Sequence, residues 1–146
     1  MPIPQITVFL EDRPRALHDL LDLLAAGGIN IRALSMAETR DYGAMRLIVS
    51  DHAQAMRVMT EARLPVREVP VLAAEVPDRP GGLAQIVRLL AERGIDIHYC
   101  YAFFTRHEDR AWVILRVQDP AFAASVLARN GVRTLEPADL ESFGDG

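Results

Sequence analysis

The sequence is poor in several residue types, and each shortage excludes a class of protein. It has one cysteine, Cys100, which rules out an intramolecular disulfide framework and a cysteine cluster for zinc. All 16 basic residues are arginines spread along a chain whose formal net charge is −4. This balance gives no electrostatic reason to expect binding to nucleic acid.

Long apolar runs are also missing, and none approaches the length of a membrane span. The start of the chain has neither the basic segment nor the apolar stretch of a signal peptide, so we expect a cytoplasmic protein with no membrane association. The four histidines lack metal-ligand spacing, and no serine or cysteine lies in a nucleophile motif. The sequence therefore predicts no metal, no cofactor and no catalytic residue.

What the sequence does contain is an internal repeat. A pattern of Asp, Pro, Leu, Gly and Asn or Asp occurs twice, 66 residues apart, at Asp12, Pro14, Leu17, Gly28 and Asn30 and at Asp78, Pro80, Leu83, Gly94 and Asp96. Repetition at such a period indicates two copies of one small module. We expect a first domain over 1–69, a second over 70–136 and an acidic tail over 137–146 that frays.

Apolar periodicity and turn residues predict the same element order, β-α-β-β-α-β, in both copies. The first copy has strands at 6–10, 29–37, 45–49 and 66–69 and helices at 14–26 and 51–62, with a hairpin at 38–43. The second has strands at 71–76, 95–104, 111–117 and 132–135 and helices at 80–93 and 120–129, with a turn at 105–110. Asp78 is the predicted cap of the helix at 80–93, and Pro80 lies in its first turn. The fold class is α+β: two tandem ferredoxin-like modules, each an antiparallel sheet with its helices on one face.

Other proteins with this fold need features that the chain lacks. An acylphosphatase-like enzyme needs a G-x-V-Q-G-V loop, and a metal chaperone needs C-x-x-C; neither is present. An RNA-recognition module needs stacking aromatics, which Tyr99, Tyr101 and Phe103 could supply, but also a basic surface, and the chain is acidic.

The paired motifs resemble those of the ACT domain, a small regulatory module that binds amino acids. The resemblance lies in D-R-P-G-G-L at Asp78–Leu83 followed by G-I-D-I at Gly94–Ile97, and more weakly in D-R-P-R-A-L followed by G-I-N-I. The whole chain is most similar to stand-alone tandem ACT proteins, which carry no catalytic domain. This likeness implies a regulatory protein rather than an enzyme.

The resemblance also implies where a ligand lies: between the loop after the first strand of one module and the start of the second strand of a neighbour. Backbone N–H groups at a helix N-terminus favour a carboxylate there. One implied site combines Asn30 and Ile31 with Asp78, Arg79, Pro80, Gly81, Gly82 and Leu83. The reciprocal site combines Asp96 and Ile97 with Asp12, Arg13, Pro14, Arg15 and Leu17. A purely structural interpretation stays open, in which the glycines permit a tight turn and Asn30 and Asp96 form turns.

The first loop departs from the family pattern because Arg15 occupies the position of Gly81. If that position needs a positive φ or the close approach of a ligand, Arg15 blocks it. We therefore expect the Asp78 loop to be the working site and the Asp12 loop to be altered or silent.

The predicted second strand of the second copy is apolar on both faces, through Tyr99, Tyr101 and Phe103 on one and Cys100, Ala102 and Phe104 on the other. A half-solvated antiparallel strand shows polar residues on one side, so this pattern predicts a homodimer.

An alternative function is a non-catalytic subunit that binds and controls a metabolic enzyme of amino acid biosynthesis.

Overall fold

The computed structural model describes residues 1–11, 14–38, 42–103 and 110–142. The elements in these ranges are β1 (Ile3–Glu11), α1 (Pro14–Ala26), β2 (Ile31–Glu38), β3 (Tyr42–Val49), α2 (His52–Glu61), β4 (Val66–Pro77), α3 (Gly82–Ala91), β5 (Ile97–Ala102), β6 (Arg110–Val117), α4 (Pro120–Arg129) and α5 (Asp139–Ser142). They form two compact units, one of residues 4–69 and one of residues 1–3 with the residues from Pro70 onward.

The first unit is an antiparallel sheet in which β3 lies between β2 and β1. Leu47 of β3 lies opposite Ile6 of β1 and Leu34 of β2. The Phe9 N–H donates to the Pro65 carbonyl oxygen at 3.1 Å, which places the chain entering β4 beside the end of β1. The resulting order, with the fourth strand next to the first, is that of a ferredoxin-like module.

Helices α1 and α2 cover one face of this sheet because alternate strand residues and one stripe of each helix are apolar. The buried cluster that they share includes Ile6, Val8, Leu10, Leu20, Leu24, Met45, Leu47 and Met59. Full burial of one such side chain is worth about 1.5–3 kcal/mol, so this cluster fixes which face carries the helices.

The second unit repeats the arrangement, with β6 between β4 and β5 and all pairs antiparallel. Its buried cluster includes Leu72, Val76, Ile86, Leu90, Leu115, Val117, Val126 and Leu127. The predicted fold class is therefore confirmed in both units.

Capping also follows the repeat. Asp51 caps α2 by accepting from the Gln54 N–H at 3.0 Å, and Asp119 caps α4 by accepting from the Phe122 N–H at 3.1 Å. The two caps stand at matching positions of the two copies. A carboxylate cap satisfies a helix N–H that has no partner within the helix.

Several predicted details are wrong. The strand at 132–135 is reduced to one bridge, Thr134 opposite Ala74, flanked by hydrogen bonds of Glu75 and Leu135. Pairing stops there because Pro137 has no N–H to donate. Helix α3 begins at Gly82 rather than at Pro80.

Part of the predicted tail forms a helix. The short helix α5 buries Leu140, which is 3% exposed, and the Met1 ammonium lies 3.0 Å from Glu136 Oε1. The centres of both predicted hairpin turns fall on residues 39–41 and 104–109, outside the described ranges. Within those ranges, no helix is long and apolar enough to cross a lipid bilayer.

Candidate functional site

The Asp78 loop is built around a tight turn. The Gly82 N–H donates to the Arg79 carbonyl oxygen at 3.0 Å, and Gly81, the third residue of the turn, has φ 86° and ψ −8°. This is the geometry of a type II turn, which favours proline at its second position and glycine at its third. Pro80 therefore serves the turn before α3. The residue before the helix is Gly81, with no side-chain cap, so the prediction that Asp78 caps the helix is wrong.

Gly82 is needed for a different reason. A Cβ atom at this position would lie 2.1 Å from the Pro77 carbonyl oxygen, far inside any allowed contact. The start of α3 thus rests directly on the backbone at the end of β4. The structural interpretation accounts for both glycines, whether or not they also face a ligand.

The start of α3 leaves backbone donors available. Gly81 precedes the helix without a side-chain cap, and the Gln85 N–H donates to the Gly81 carbonyl oxygen at 3.0 Å. Among the described residues, the N–H groups of Leu83 and Ala84 have no acceptor. Two unpaired donors at the positive end of a helix dipole are suited to a carboxylate.

A shallow cavity of about 320 Å³ lies at this helix start, lined by Gly81, Ala84, Gln85 and Arg88. The Arg88 Nε lies 3.9 Å from Glu92 Oε1, and both side chains are mostly exposed, so this pair is weak and the guanidinium can turn toward an anion. This cavity at the start of α3, which we name the α3 cavity, thus combines backbone donors with one positive side chain.

The other predicted residues of the second unit lie at the far end of α3. Asp96 is exposed and Ile97 is half-buried at the start of β5. Ten helical residues span roughly 15 Å, so the Gly81 turn and Asp96 of one module cannot contact one small ligand together. A site that uses both kinds of residue needs a second module.

Asn30 holds the equivalent place before β2. Its N–H donates to Ser50 Oγ at 2.9 Å and its carbonyl oxygen accepts from the Ser50 N–H at 2.9 Å. Its backbone is thus fixed while the residue remains exposed, and Ile31 follows half-buried. Two residues on, Arg32 is buried, whereas His98 at the matching position is exposed.

The first loop does not reproduce the Gly81 turn. Pro14 and Arg15 are already the first two residues of α1, so this helix begins two positions earlier than α3. Arg15 is exposed, with its Nε 4.0 Å from Asp19 Oδ1, and Leu17 is half-buried. Asp12 and Arg13 lie outside the described residues. The hypothesis that this loop binds no ligand stays a prediction, now with a difference in backbone conformation in its favour.

Sequence reasoning missed a larger cavity in the first unit, which we name the first-unit cleft. It has a volume of about 460 Å³ and lies between the end of β1, helix α1 and the segment that follows α2. Its lining includes the buried residues Leu10, Ala16 and Leu20 and the exposed charged residues Glu11, Asp19 and Arg63. One sequence signal for this cavity was available. Arg63 stands where the second copy has Gly131, the glycine that ends α4.

One histidine of the first unit forms an ion pair. In the part of the chain that the structure describes, no group of three His, Cys, Asp or Glu side chains is placed to hold a metal ion. The His52 Nε2 lies 2.7 Å from Glu68 Oε1, and its Nδ1 is buried without a hydrogen-bond partner. This pair lies outside both cavities.

Comparison with solved structures finds the same fold over almost the whole chain. Protein BT0572 from Bacteroides thetaiotaomicron is 31% identical, with a TM-score of 0.91 over 98% of each chain. The ligand-free regulatory subunit of aspartate kinase from Thermus thermophilus is 16% identical, with a TM-score of 0.62 over 86% of this chain and 90% of that one. The corresponding subunit from Thermus flavus is 20% identical, with a TM-score of 0.60 over 86% and 88%.

A search of curated proteins found no match. A family model described as an ACT domain pair matches residues 1–143. That range includes both repeats, both cavities and the Gly81 turn. The chain therefore belongs to the family of ACT domain pairs.

Proposed function

We propose that this chain is a non-catalytic regulatory protein that binds an amino acid, with the ligand carboxylate at the start of α3. The observation that carries the proposal is the pair of unpaired N–H groups at Leu83 and Ala84, since Ala84 lines the α3 cavity together with Arg88. A helix of ten residues with no side-chain cap presents these donors and its positive dipole end to the same anion.

The rest of the ligand is proposed to meet a neighbouring module. Asn30 or Asp96, with Ile31 or Ile97 beside it, stands exposed before the second strand of its own unit and is suited to receive an ammonium or amide group. Arg79 and Pro80 belong to the turn that precedes these donors, and Asp78 lies directly before that turn. The loop of Asp12, Arg13, Pro14, Arg15 and Leu17 is proposed to be altered, because its helix begins earlier.

A ligand shared between modules would act as a regulator. The ligand favours the arrangement of modules that closes the site. The free energy of coupling equals the difference between the ligand's binding free energies in the two arrangements. We further propose that the working form is a cytoplasmic homodimer, since the exposed side of β5 presents Cys100 and Ala102.

A second candidate function is control of an enzyme by direct binding. Two structures similar to this chain are named as regulatory subunits of aspartate kinase. This likeness supports a subunit that binds a metabolic enzyme of amino acid biosynthesis. Affinity purification from the source cells separates the candidates, because recovery of a stoichiometric enzyme favours the second.

The ligand site is tested by placing a carboxylate where the ligand carboxylate would lie. Ala84→Glu adds a negative charge at an exposed position in the first turn of α3, where it favours the helix by about 0.3–1 kcal/mol. We expect calorimetric titration with the twenty amino acids to find a ligand for the wild type. Its affinity should fall at least tenfold in Ala84→Glu, with no loss of thermal stability.

Ala91→Glu is the matched control, since it adds the same charge at an exposed position at the other end of the same helix. Its affinity should stay close to that of the wild type. Equal binding by the wild type and Ala84→Glu would remove the α3 cavity from the proposal. Equal losses in both variants would show a general effect of charge instead.

A further inference from the structure

Arg63 has a backbone conformation that arginine rarely adopts. Its φ is 62°, and no other non-glycine residue in the described ranges has a positive φ. The position ends α2, because the Arg63 N–H donates to the Thr60 carbonyl oxygen at 2.9 Å and the Leu64 N–H donates to the Met59 carbonyl oxygen at 3.0 Å. Glycine is the usual residue at such a helix end.

The second copy has glycine at the matching position. Gly131 ends α4 with φ 74°, and the Val132 N–H donates to the Leu127 carbonyl oxygen at 2.9 Å. The same helix end is therefore built twice, once with the residue that adopts it without strain and once with arginine. A strained residue that lines a cavity points to a role for its side chain.

The charged residues that line the first-unit cleft differ in their partners. Asp19 Oδ1 lies 3.5 Å from His18 Nδ1 and 4.0 Å from Arg15 Nε, so the charge of this carboxylate is offset on its own helix. Glu11 also interacts with other groups of the chain. The Arg63 side chain has no hydrogen-bond or ion-pair partner among the described residues, so its guanidinium is available to a ligand.

The rest of the lining consists of apolar residues. Leu10, Ala16 and Leu20 are buried, and Leu64 is half-buried beside Arg63 in the sequence. The cavity volume of about 460 Å³ falls within the range of about 300–1,000 Å³ that is usual for small-molecule sites. One available guanidinium in an apolar lining suits a molecule with an aliphatic body and one anionic end.

We propose that the first-unit cleft binds a short aliphatic monocarboxylate that carries no ammonium group, with the ligand carboxylate on Arg63. A planar guanidinium donates to both oxygens of a carboxylate at once. Burial of the aliphatic chain against Leu10 and Leu20 adds the hydrophobic contribution. An ammonium in the cleft would have to compete with the existing partners of Glu11 and Asp19, so the lining favours the acid over the corresponding amino acid.

This site differs from the α3 cavity in its donors and in its ligand. The α3 cavity offers backbone N–H groups to an amino acid that also needs a neighbouring module, whereas every residue of the first-unit cleft lies within one unit. The inference therefore goes beyond the proposed function. A chain with both sites would respond to an amino acid and, independently, to a carboxylate without an amino group.

The experiment is a nuclear magnetic resonance titration of the intact wild-type chain. The probe is 4-methylpentanoate, compared with 4-methylpentanamide, which lacks the charge, and with L-leucine, which has the same carbon skeleton and an added ammonium. Affinities are taken from the backbone amide shifts of residues 16–23 and 62–65, so that binding elsewhere on the chain does not contribute. We expect 4-methylpentanoate to bind there at least tenfold more tightly than either comparison compound.

Arg63→Gly should lower the affinity for 4-methylpentanoate at least tenfold while the unfolding midpoint stays the same or rises, because glycine adopts this φ without strain. Arg63→Lys should keep most of the affinity, since it keeps the positive charge. The matched control is Arg67→Ala, which removes an exposed arginine that does not line the cleft and should leave the affinity unchanged.

Four results would each overturn this proposal: no shift of residues 16–23 and 62–65 with 4-methylpentanoate, equal affinity for the amide, equal or tighter binding of L-leucine at these residues, or unchanged affinity in Arg63→Gly. None of them bears on the α3 cavity, which is tested by comparing the wild type with Ala84→Glu.

Discussion

The close contact beneath Gly82 makes a strong prediction about stability. In Gly82→Ala the new Cβ would stand 2.1 Å from the Pro77 carbonyl oxygen, whereas real Cβ contacts stay beyond 3.0 Å. The backbone must separate by about 1 Å, an overpacking that costs roughly 1–3 kcal/mol. Because the same oxygen accepts from the Arg79 N–H at 2.9 Å, the movement also weakens a hydrogen bond worth about 1 kcal/mol.

Alanine recovers about 0.5–1 kcal/mol through its better helix propensity, so the net loss is about 1–3 kcal/mol. For a chain of this length that corresponds to a fall of roughly 3–10 °C in the unfolding midpoint. Urea denaturation followed by far-ultraviolet circular dichroism measures the loss directly.

Gly81→Ala is the matched control, because nothing lies within 4 Å of its added Cβ and only its φ of 86° opposes a side chain. We expect that variant to lose about 1 kcal/mol. If Gly82→Ala were no less stable than Gly81→Ala, the inferred contact between α3 and the end of β4 would be refuted.

Two further predictions concern the caps and the oligomer. Asp51→Ala and Asp119→Ala should each lower the free energy of unfolding by about 1 kcal/mol, while the Asn variants stay near the wild type. Alanine variants that are as stable as the wild type in urea titrations would contradict the capping role. Light scattering should give twice the mass of one chain. Ala102→Asp, which adds a charge on the exposed side of β5, should shift the population toward the monomer. A wild-type chain that stays monomeric at every concentration would exclude the homodimer.

Local sequence signals determined most of the fold. The predicted bounds of α1 and α4 match the structure because proline stands at the first helical position of each and Gly27 or Asn130 follows the last. Alternating apolar residues likewise located the strands whose one face is buried against the helices. Such signals act over a few residues, so they can be recognised without knowledge of the tertiary structure.

The errors fall where tertiary geometry overrides the local pattern. Asp78 and Pro80 look like a helix start, yet the Arg79–Gly82 turn delays α3 so that Gly82 can rest on the Pro77 carbonyl group. Helix α5 depends on the burial of Leu140, and the apolar pattern of the neighbouring residues does not predict a helix there. The first-unit cleft joins residues more than 40 positions apart and could not be read from the sequence alone.

The two copies differ by the same exchange at two places, since Arg15 and Arg63 stand where the second copy has Gly81 and Gly131. The backbone responds in opposite ways. At Arg15 the helix simply begins earlier, which gives arginine a helical conformation without strain. At Arg63 the chain has no such freedom, because hydrogen bonds end α2 on one side and the Pro65 carbonyl oxygen accepts from the Phe9 N–H on the other.

Arginine therefore keeps the left-handed conformation at residue 63 and projects from a fixed point beside the cleft. A side chain that serves only solubility would be placed at less cost elsewhere on the exposed surface, since a left-handed non-glycine residue costs about 1–2 kcal/mol. The second copy keeps the glycine turn at Gly81 and the uncapped helix start behind it. The repeat has thus diverged into one module with a backbone donor site and another with a charged cleft.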